Sequence, residues 1–285
     1  MKENSLITSI IFSKNRPLQL DLCLSSINRN FSDSTQNIVI HNNSSEFSEA
    51  HGLLESEHPK VEFWPQSDSL FKDVLIAVES SENDYICFFT DDDIFYMPFS
   101  AKDYTIFNND GIACLSLRMG MNICERSHGG VVGSDLCKQV FQADEDLLAW
   151  SKTSHTYGSY WSYSLSVDGH IFRRKDIADM MNELCFLGDR CGGQQTPNHL
   201  ESAIQRFWAL SPNFMASPRH SVVVNSPNNR VQQSHAHNRS GDLHDYDENY
   251  LLGKYMAGNR INIDYLNFND IKCPHTEINI MEGLG

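Results

Sequence analysis

The sequence predicts an α/β fold: a mainly parallel central sheet flanked by helices, followed by a less regular C-terminal half. Two observations predict it. In the first hundred of the 285 residues, short β-branched apolar runs alternate with stretches of helical apolar spacing. Three of those runs also end in polar clusters, as the strands of a βαβ series do where a ligand crevice opens beyond their carboxyl ends. An apolar content of 40% lets such a chain bury a real core.

Residues 6–12 (LITSIIF) form the first expected strand, broken by Ser13-Lys14-Asn15-Arg16-Pro17. Apolar residues at 18, 20, 22, 24 and 27 then give a mainly helical pattern over 18–27. A second strand, 37–41 (NIVIH), runs into Asn42-Asn43-Ser44-Ser45. A helix over 47–55, a strand over 61–64 and a helix over 71–79 follow. Residues 84–90 (DYICFFT) are a buried strand that delivers Asp91, Asp92 and Asp93. Beyond residue 100 the rhythm changes. A strand is expected at 112–117 (IACLSL), and 144–163 is rich in Trp, Tyr, Ser and His. Another strand with a turn is expected over 164–172 and a helix over 176–184. A glycine-rich loop over 188–198 leads into a helix over 199–210. A strand begins at Val222, and a polar segment covers 225–241. There is no internal repeat, so residues 1–285 are read as one domain with halves 1–100 and 101–285.

The net charge is −15, with 37 acidic against 22 basic residues. That excludes a long nucleic-acid track, which needs a basic stripe. A nucleotide ligand remains compatible, because one divalent metal held by carboxylates neutralises its few phosphates. The eight cysteines show no C-x-x-C pair, so reduced thiols are expected rather than a zinc ribbon or disulfide scaffold. No apolar stretch approaches the ~20 residues that span a bilayer, and the start of the chain lacks a signal-peptide core. The expectation is a cytoplasmic protein, with peripheral association at the inner face of a membrane left open.

Three successive aspartates after an apolar strand repel one another, and aspartate is a poor strand residue. A cation relieves both costs, and carboxylate oxygens suit hard ions such as Mg²⁺ or Mn²⁺. The bland alternative is a solvent-facing turn or a helix N-cap at Asp93.

On these residues the sequence resembles the GT-A glycosyltransferases, especially the family 2 type, through Asp91-Asp92-Asp93 as a D-x-D motif. The resemblance implies a Rossmann-like GT-A fold, with 1–100 binding a nucleotide-sugar and 101–285 binding the acceptor. It makes Asp93 the main metal ligand, with Asp91 or Asp92 on the ribose or the metal. Ser13, Asn15 and Arg16 fall on the loop that faces the nucleotide. Asn42-Asn43-Ser44 stands where many members carry an aspartate for the uracil or ribose, and Asp68 falls in the region that holds the donor. Residues 166–174 are similar to the strand and turn between donor and acceptor sites, although Asp168-Gly169 also reads as a plain tight turn.

Trp150, Tyr157, Tyr160, Trp161 and Tyr163 are either an acceptor platform or core. Inversion needs a base opposite the leaving nucleotide. Glu201, in Pro197-Asn198-His199-Leu200-Glu201, is the first candidate and Asp189 the second; the helix macrodipole would also explain Glu201 blandly. His235 and His237 alternate along one face and complete a metal site by analogy, while Arg230 and Arg239 face the leaving diphosphate. The expected function is metal-dependent transfer of a sugar from a nucleoside-diphosphate donor to a hydroxyl of a glycan or lipid-linked acceptor, with inversion. The alternatives are a sugar-nucleotide pyrophosphorylase, disfavoured because 13–17 lacks glycine, and a non-catalytic metal-dependent carbohydrate-binding protein.

Overall fold

The computed structural model describes residues 6–100, 105–125, 140–143, 145–151, 159–161, 165–188, 195–207, 214–231 and 240–285. Its N-terminal half alternates β1 (Ile7–Ser13), α1 (Pro17–Asn30), β2 (Ser34–His41), α2 (Ser48–Glu57), β3 (Val61–Pro65), α3 (Leu70–Ser80) and β4 (Tyr85–Thr90). All seven residues of β1 are buried, which is why its sequence is a continuous apolar run rather than an alternating one. Pro17 opens α1, where its missing N–H costs nothing and its fixed φ suits the helix. Ser69 caps α3 by accepting the Lys72 N–H.

The N-terminal half ends with β5 (Asp93–Phe95), and the C-terminal half contributes β6 (Ile112–Ser116), β7 (Val140–Gln142), β8 (Leu147–Ser151), β9 (His170–Arg173), α4 (Arg174–Gly188), α5 (Pro197–Phe207), β10 (Phe214–Pro218), β11 (Val223–Asn225) and α6 (Glu248–Met256). Among the described residues the main sheet runs β3-β2-β1-β4-β9-β6-β10-β8-β7, and β11 and β5 form a separate pair. The pairings among β3, β2, β1 and β4 are all parallel. Beyond β4 the sheet is mixed, because β9 runs antiparallel to both β4 and β6, and β8 antiparallel to both β10 and β7. The expected parallel sheet is therefore present in full on one side and interrupted on the other.

At two places the structure decides between alternatives left open by the sequence. Asp93 begins β5, paired antiparallel with β11, so the triplet ends neither in a solvent turn nor at a helix cap. Trp150 and Trp161 are fully buried, with rings in edge contact at 4.8 Å. Trp150 Nε1 donates to the Trp161 carbonyl at 3.0 Å and Trp161 Nε1 to the Ile123 carbonyl at 3.2 Å. They are core and offer no face to an acceptor. Tyr160 stacks on the His275 ring at 5.6 Å; Tyr157 and Tyr163 lie outside the described residues. Among the described residues, no helix is long and apolar enough to cross a membrane.

Candidate functional site

Because β1, β2 and β4 are parallel and in register (Ser13 beside His41, Phe12 beside Thr90), their carboxyl ends fall on one edge. The first loop bends there through Asn15, whose φ of 55° is a left-handed conformation that asparagine tolerates. Its N–H donates to Asn43 Oδ1 at 2.7 Å, and its own Oδ1 accepts the Ser44 N–H at 2.9 Å. Asn42 joins the same clasp through its N–H, which donates to the Ser13 carbonyl at 3.0 Å. The two predicted nucleotide-facing loops thus hold each other.

Asp91 holds the first loop from the other side. Its Oδ2 accepts from Ser13 Oγ at 3.0 Å and from the Lys14 N–H at 2.9 Å, and its Oδ1 accepts from Arg16 Nη1 at 2.9 Å. The same Nη1 donates to Asp92 Oδ2 at 2.7 Å, and Arg16 Nη2 donates to the Asn229 carbonyl. Arg16 is 8% exposed, so a guanidinium sits in the midst of the aspartates. Asp91 is thus tied to the first loop, while Asp92 and Asp93 accept from the other side of the cluster, Asp93 Oδ2 from the Thr90 N–H at 2.8 Å.

Those two converge on Asn225. Its Nδ2 lies 2.8 Å from Asp92 Oδ1, 3.1 Å from Asp93 Oδ1 and 3.0 Å from Thr90 Oγ1. The Thr90 hydroxyl is in turn 2.8 Å from Asp92 Oδ1, 3.3 Å from Asp93 Oδ2 and 3.4 Å from Asp168 Oδ1, with one proton to give among them. Asp168 arrives through the turn before β9, where Gly169 has φ +67° and donates its N–H to the Phe88 carbonyl at 2.8 Å. Arg118 Nη1 donates to Asp168 Oδ2 at 2.7 Å and lies 3.1 Å from His275 Nε2.

Four buried or nearly buried carboxylates therefore face two guanidiniums, leaving surplus negative charge. Burial, then Asp168 and Asp92, pushes Asp93 well above the usual carboxylate range. Burial raises Asp168 too, against the attraction of Arg118. It raises Asp91 despite Arg16. For Arg16, burial works to lower the pKa, but Asp92 and Asp91 outweigh it and the guanidinium stays charged. A small gap of about 10 Å³ adjoins the aspartates, lined by Gln19, Leu22, Asp91, Asp92, Ile94, Ser226, Asn228 and Ile280.

The remaining predicted residues are spread wider. Asp68 is exposed in the loop after β3. Gln195 pins that loop, its Oε1 accepting from Ser69 Oγ at 3.1 Å and the Phe71 N–H at 2.9 Å, and so ties the lead-in of α5 to this edge of the sheet. Glu201 is half-buried on α5, and Arg230 is exposed just after Asn229. Asp189, His235, His237 and Arg239 lie outside the described residues. Sequence reasoning missed Arg118 and Asn225 as site residues. Both stand at the carboxyl end of a strand, so the rule that flagged Asp91 applies to them as well.

No family model matches the chain, and the curated proteins contain no match. Solved structures give loose likenesses. The 1–349 portion of S. aureus TarS is 14% identical at a TM-score of 0.43, covering 76% of this chain and 58% of that one. The same portion in complex with UDP-GlcNAc is 15% identical at 0.41, covering 75% and 59%. The 4-diphosphocytidyl-2C-methyl-D-erythritol synthase of Anaerococcus prevotii DSM 20548 is 10% identical at 0.38, covering 71% and 82%. The chain thus spans less than two thirds of the TarS portion, and likenesses this loose carry no argument for function.

Proposed function

We propose that this chain is a glycosyltransferase that moves a sugar from a nucleoside-diphosphate donor to a hydroxyl of a glycan or lipid-linked acceptor. The observation that carries the reading is the meeting of the loops after β1, β2 and β4 with the segment after β11 around Arg16 and the surplus-charged aspartates. That is the crevice position where open α/β sheets bind ligands, equipped to bind an anion and a cation together.

The donor set is all oxygen and over-negative, which fits Mn²⁺ or Mg²⁺. Asp92 and Asp93 are the pair that would hold the ion, with Thr90 and Asn225 beside them. Bound there, the cation would neutralise charge growing on the departing diphosphate. Arg16 presents a second, fixed positive charge to the same diphosphate, kept in place by Asp91 and the Asn229 carbonyl. The Asn15–Asn43 clasp shapes the wall for the base and ribose. Glu201 takes the proton from the acceptor hydroxyl, and the outcome is inversion; Asp189 is the second choice for that role. A lipid-linked acceptor would bring the protein to a membrane surface without a spanning helix.

The test is a panel of nucleoside-diphosphate sugars with Mn²⁺, following sugar transfer and nucleotide release for wild type, Asp93→Asn and Glu201→Gln. Transfer should vanish in Asp93→Asn. In Glu201→Gln, kcat should fall at least about 100-fold with little change in donor KM. If Asp93→Asn loses stability while no donor is ever turned over by wild type, the chain is a metal-dependent binding protein and the enzyme reading fails.

A further inference from the structure

A second cluster of ligating side chains lies at the carboxyl end of β2, which β1 separates from the strand that delivers the aspartates. His41 closes that strand, and His51 and Glu55 stand one helical turn apart on α2, which puts both on one face. One ligating atom from each of the three lies within 4.8 Å of the others. The His51 Nδ1 to Glu55 Oε1 separation is 3.2 Å, matching the edge of about 3.3 Å that Zn–N and Zn–O bonds of ~2.0–2.1 Å give a tetrahedron. The imidazoles of His41 and His51 have centroids 3.8 Å apart, and the Phe63 ring meets His51 edge-on at 5.3 Å as an apolar wall.

The two nitrogens of His51 differ in their surroundings, since Nδ1 is the one that faces Glu55. The His51 side chain is 9% exposed, and its Nε2 is buried with no hydrogen-bond partner among the described residues. Buried ring nitrogens are ordinarily paired. Burial lowers the His51 pKa even against the attraction of Glu55. Burial, with His51 adding to it, lowers His41 to about 4. Lowered values favour the neutral ring, the form a metal requires.

We propose that His41, His51 and Glu55 form a second metal site, distinct from the aspartates, that takes a borderline-soft divalent ion, Zn²⁺ in the first instance. Two imidazoles and one carboxylate are a zinc set with a fourth position open, whereas Mg²⁺ and Mn²⁺ favour the all-oxygen aspartate cluster. The site also has a route to the crevice. His41 Nδ1 shares a 3.2 Å hydrogen bond with the Asn43 amide, whose Oδ1 accepts the Asn15 N–H, so a bound ion would stiffen the first two loops.

The test uses the full chain stripped with a chelator, titrated with Zn²⁺ against a competing chelator, with bound metal counted by mass spectrometry. Wild type should take up one equivalent with micromolar or better affinity. Glu55→Gln, half-exposed and expected to leave the fold intact by circular dichroism, should weaken it at least about tenfold, and His51→Gln should abolish it. Because free cysteines are present, Co²⁺ is added as a second probe; its spectrum should lack thiolate charge-transfer bands. No binding by wild type, undiminished binding in a folded Glu55→Gln, or a thiolate spectrum would each overturn the proposal. None of these outcomes bears on sugar transfer, so the two readings fail separately.

Discussion

Arg16 donates to Asp91 and Asp92 from a position 9% exposed at the side chain, so removing it strands two carboxylates in a poor solvent for charge. Arg16→Met should cost about 3–5 kcal/mol of stability by urea denaturation, the usual toll for breaking one side of a buried pair. Arg16→Lys should fall between the two, since a point charge cannot reach both aspartates and the Asn229 carbonyl as the planar fork does. The aspartates also set a pH dependence. Asp91, Asp93 and Asp168 hold protons more tightly folded than unfolded. Their contribution is therefore full below the ordinary carboxylate pKa of about 4 and is lost as pH rises through the raised folded values. The metal-free protein should melt lower at about pH 8 than at about pH 5 on account of this cluster. Asp93→Asn should flatten that slope in a melting series, and a Mn²⁺ increment largest at high pH should accompany the wild type alone.

The N-terminal elements were legible because each is locally consistent. Residues 6–12 and 84–90 are β-branched or aromatic and end in polar residues, and β1 and β4 begin within one residue of those limits. Among the later strands, β6, β9 and β11 fall in stretches expected as strands, but others were not legible. β8 (LLAWS) and β10 (FMASP) are short, buried and without alternation, so neither period marks them, and they pair with each other across a long stretch of sequence. β5 is hidden differently: its first residue is the third aspartate, and only pairing with β11 makes it a strand. The aromatic stretch left two readings open because an exposed platform and a buried pair share one composition. Trp150→Ala should accordingly cost about 3–5 kcal/mol in denaturation midpoint terms while leaving acceptor KM unchanged in whatever protein remains folded. At the turn into β9, Gly169→Ala imposes a side chain on φ +67° and sets a Cβ 3.1 Å from Val223 Cγ1. A loss of at least about 1 kcal/mol is expected, together with weakened donor use, since Asp168 rides on that turn.

Across the whole chain, the site is assembled from two kinds of sequence distance. Ser13 to Arg16, Asn42, Asn43 and the aspartates come from consecutive βαβ units, where strand direction alone brings loop ends together. Asn225, Asn229 and His275 arrive from the far end of the chain. Asn225 is held between the Pro274 carbonyl and the Thr276 N–H, a contact that no local pattern announces. That return closes the crevice over Arg16 and makes the second half of the chain part of the proposed diphosphate site rather than only an acceptor platform. The most direct measurement is calorimetric titration of the intact protein with a set of nucleoside diphosphates, with and without Mn²⁺, on wild type and Asp93→Asn. The account predicts that at least one nucleoside diphosphate binds wild type, that Mn²⁺ tightens it at least about tenfold, and that Asp93→Asn removes the metal's share while the protein stays folded. Failure of every nucleoside diphosphate to bind wild type at millimolar concentration, in the presence or absence of Mn²⁺, would contradict it.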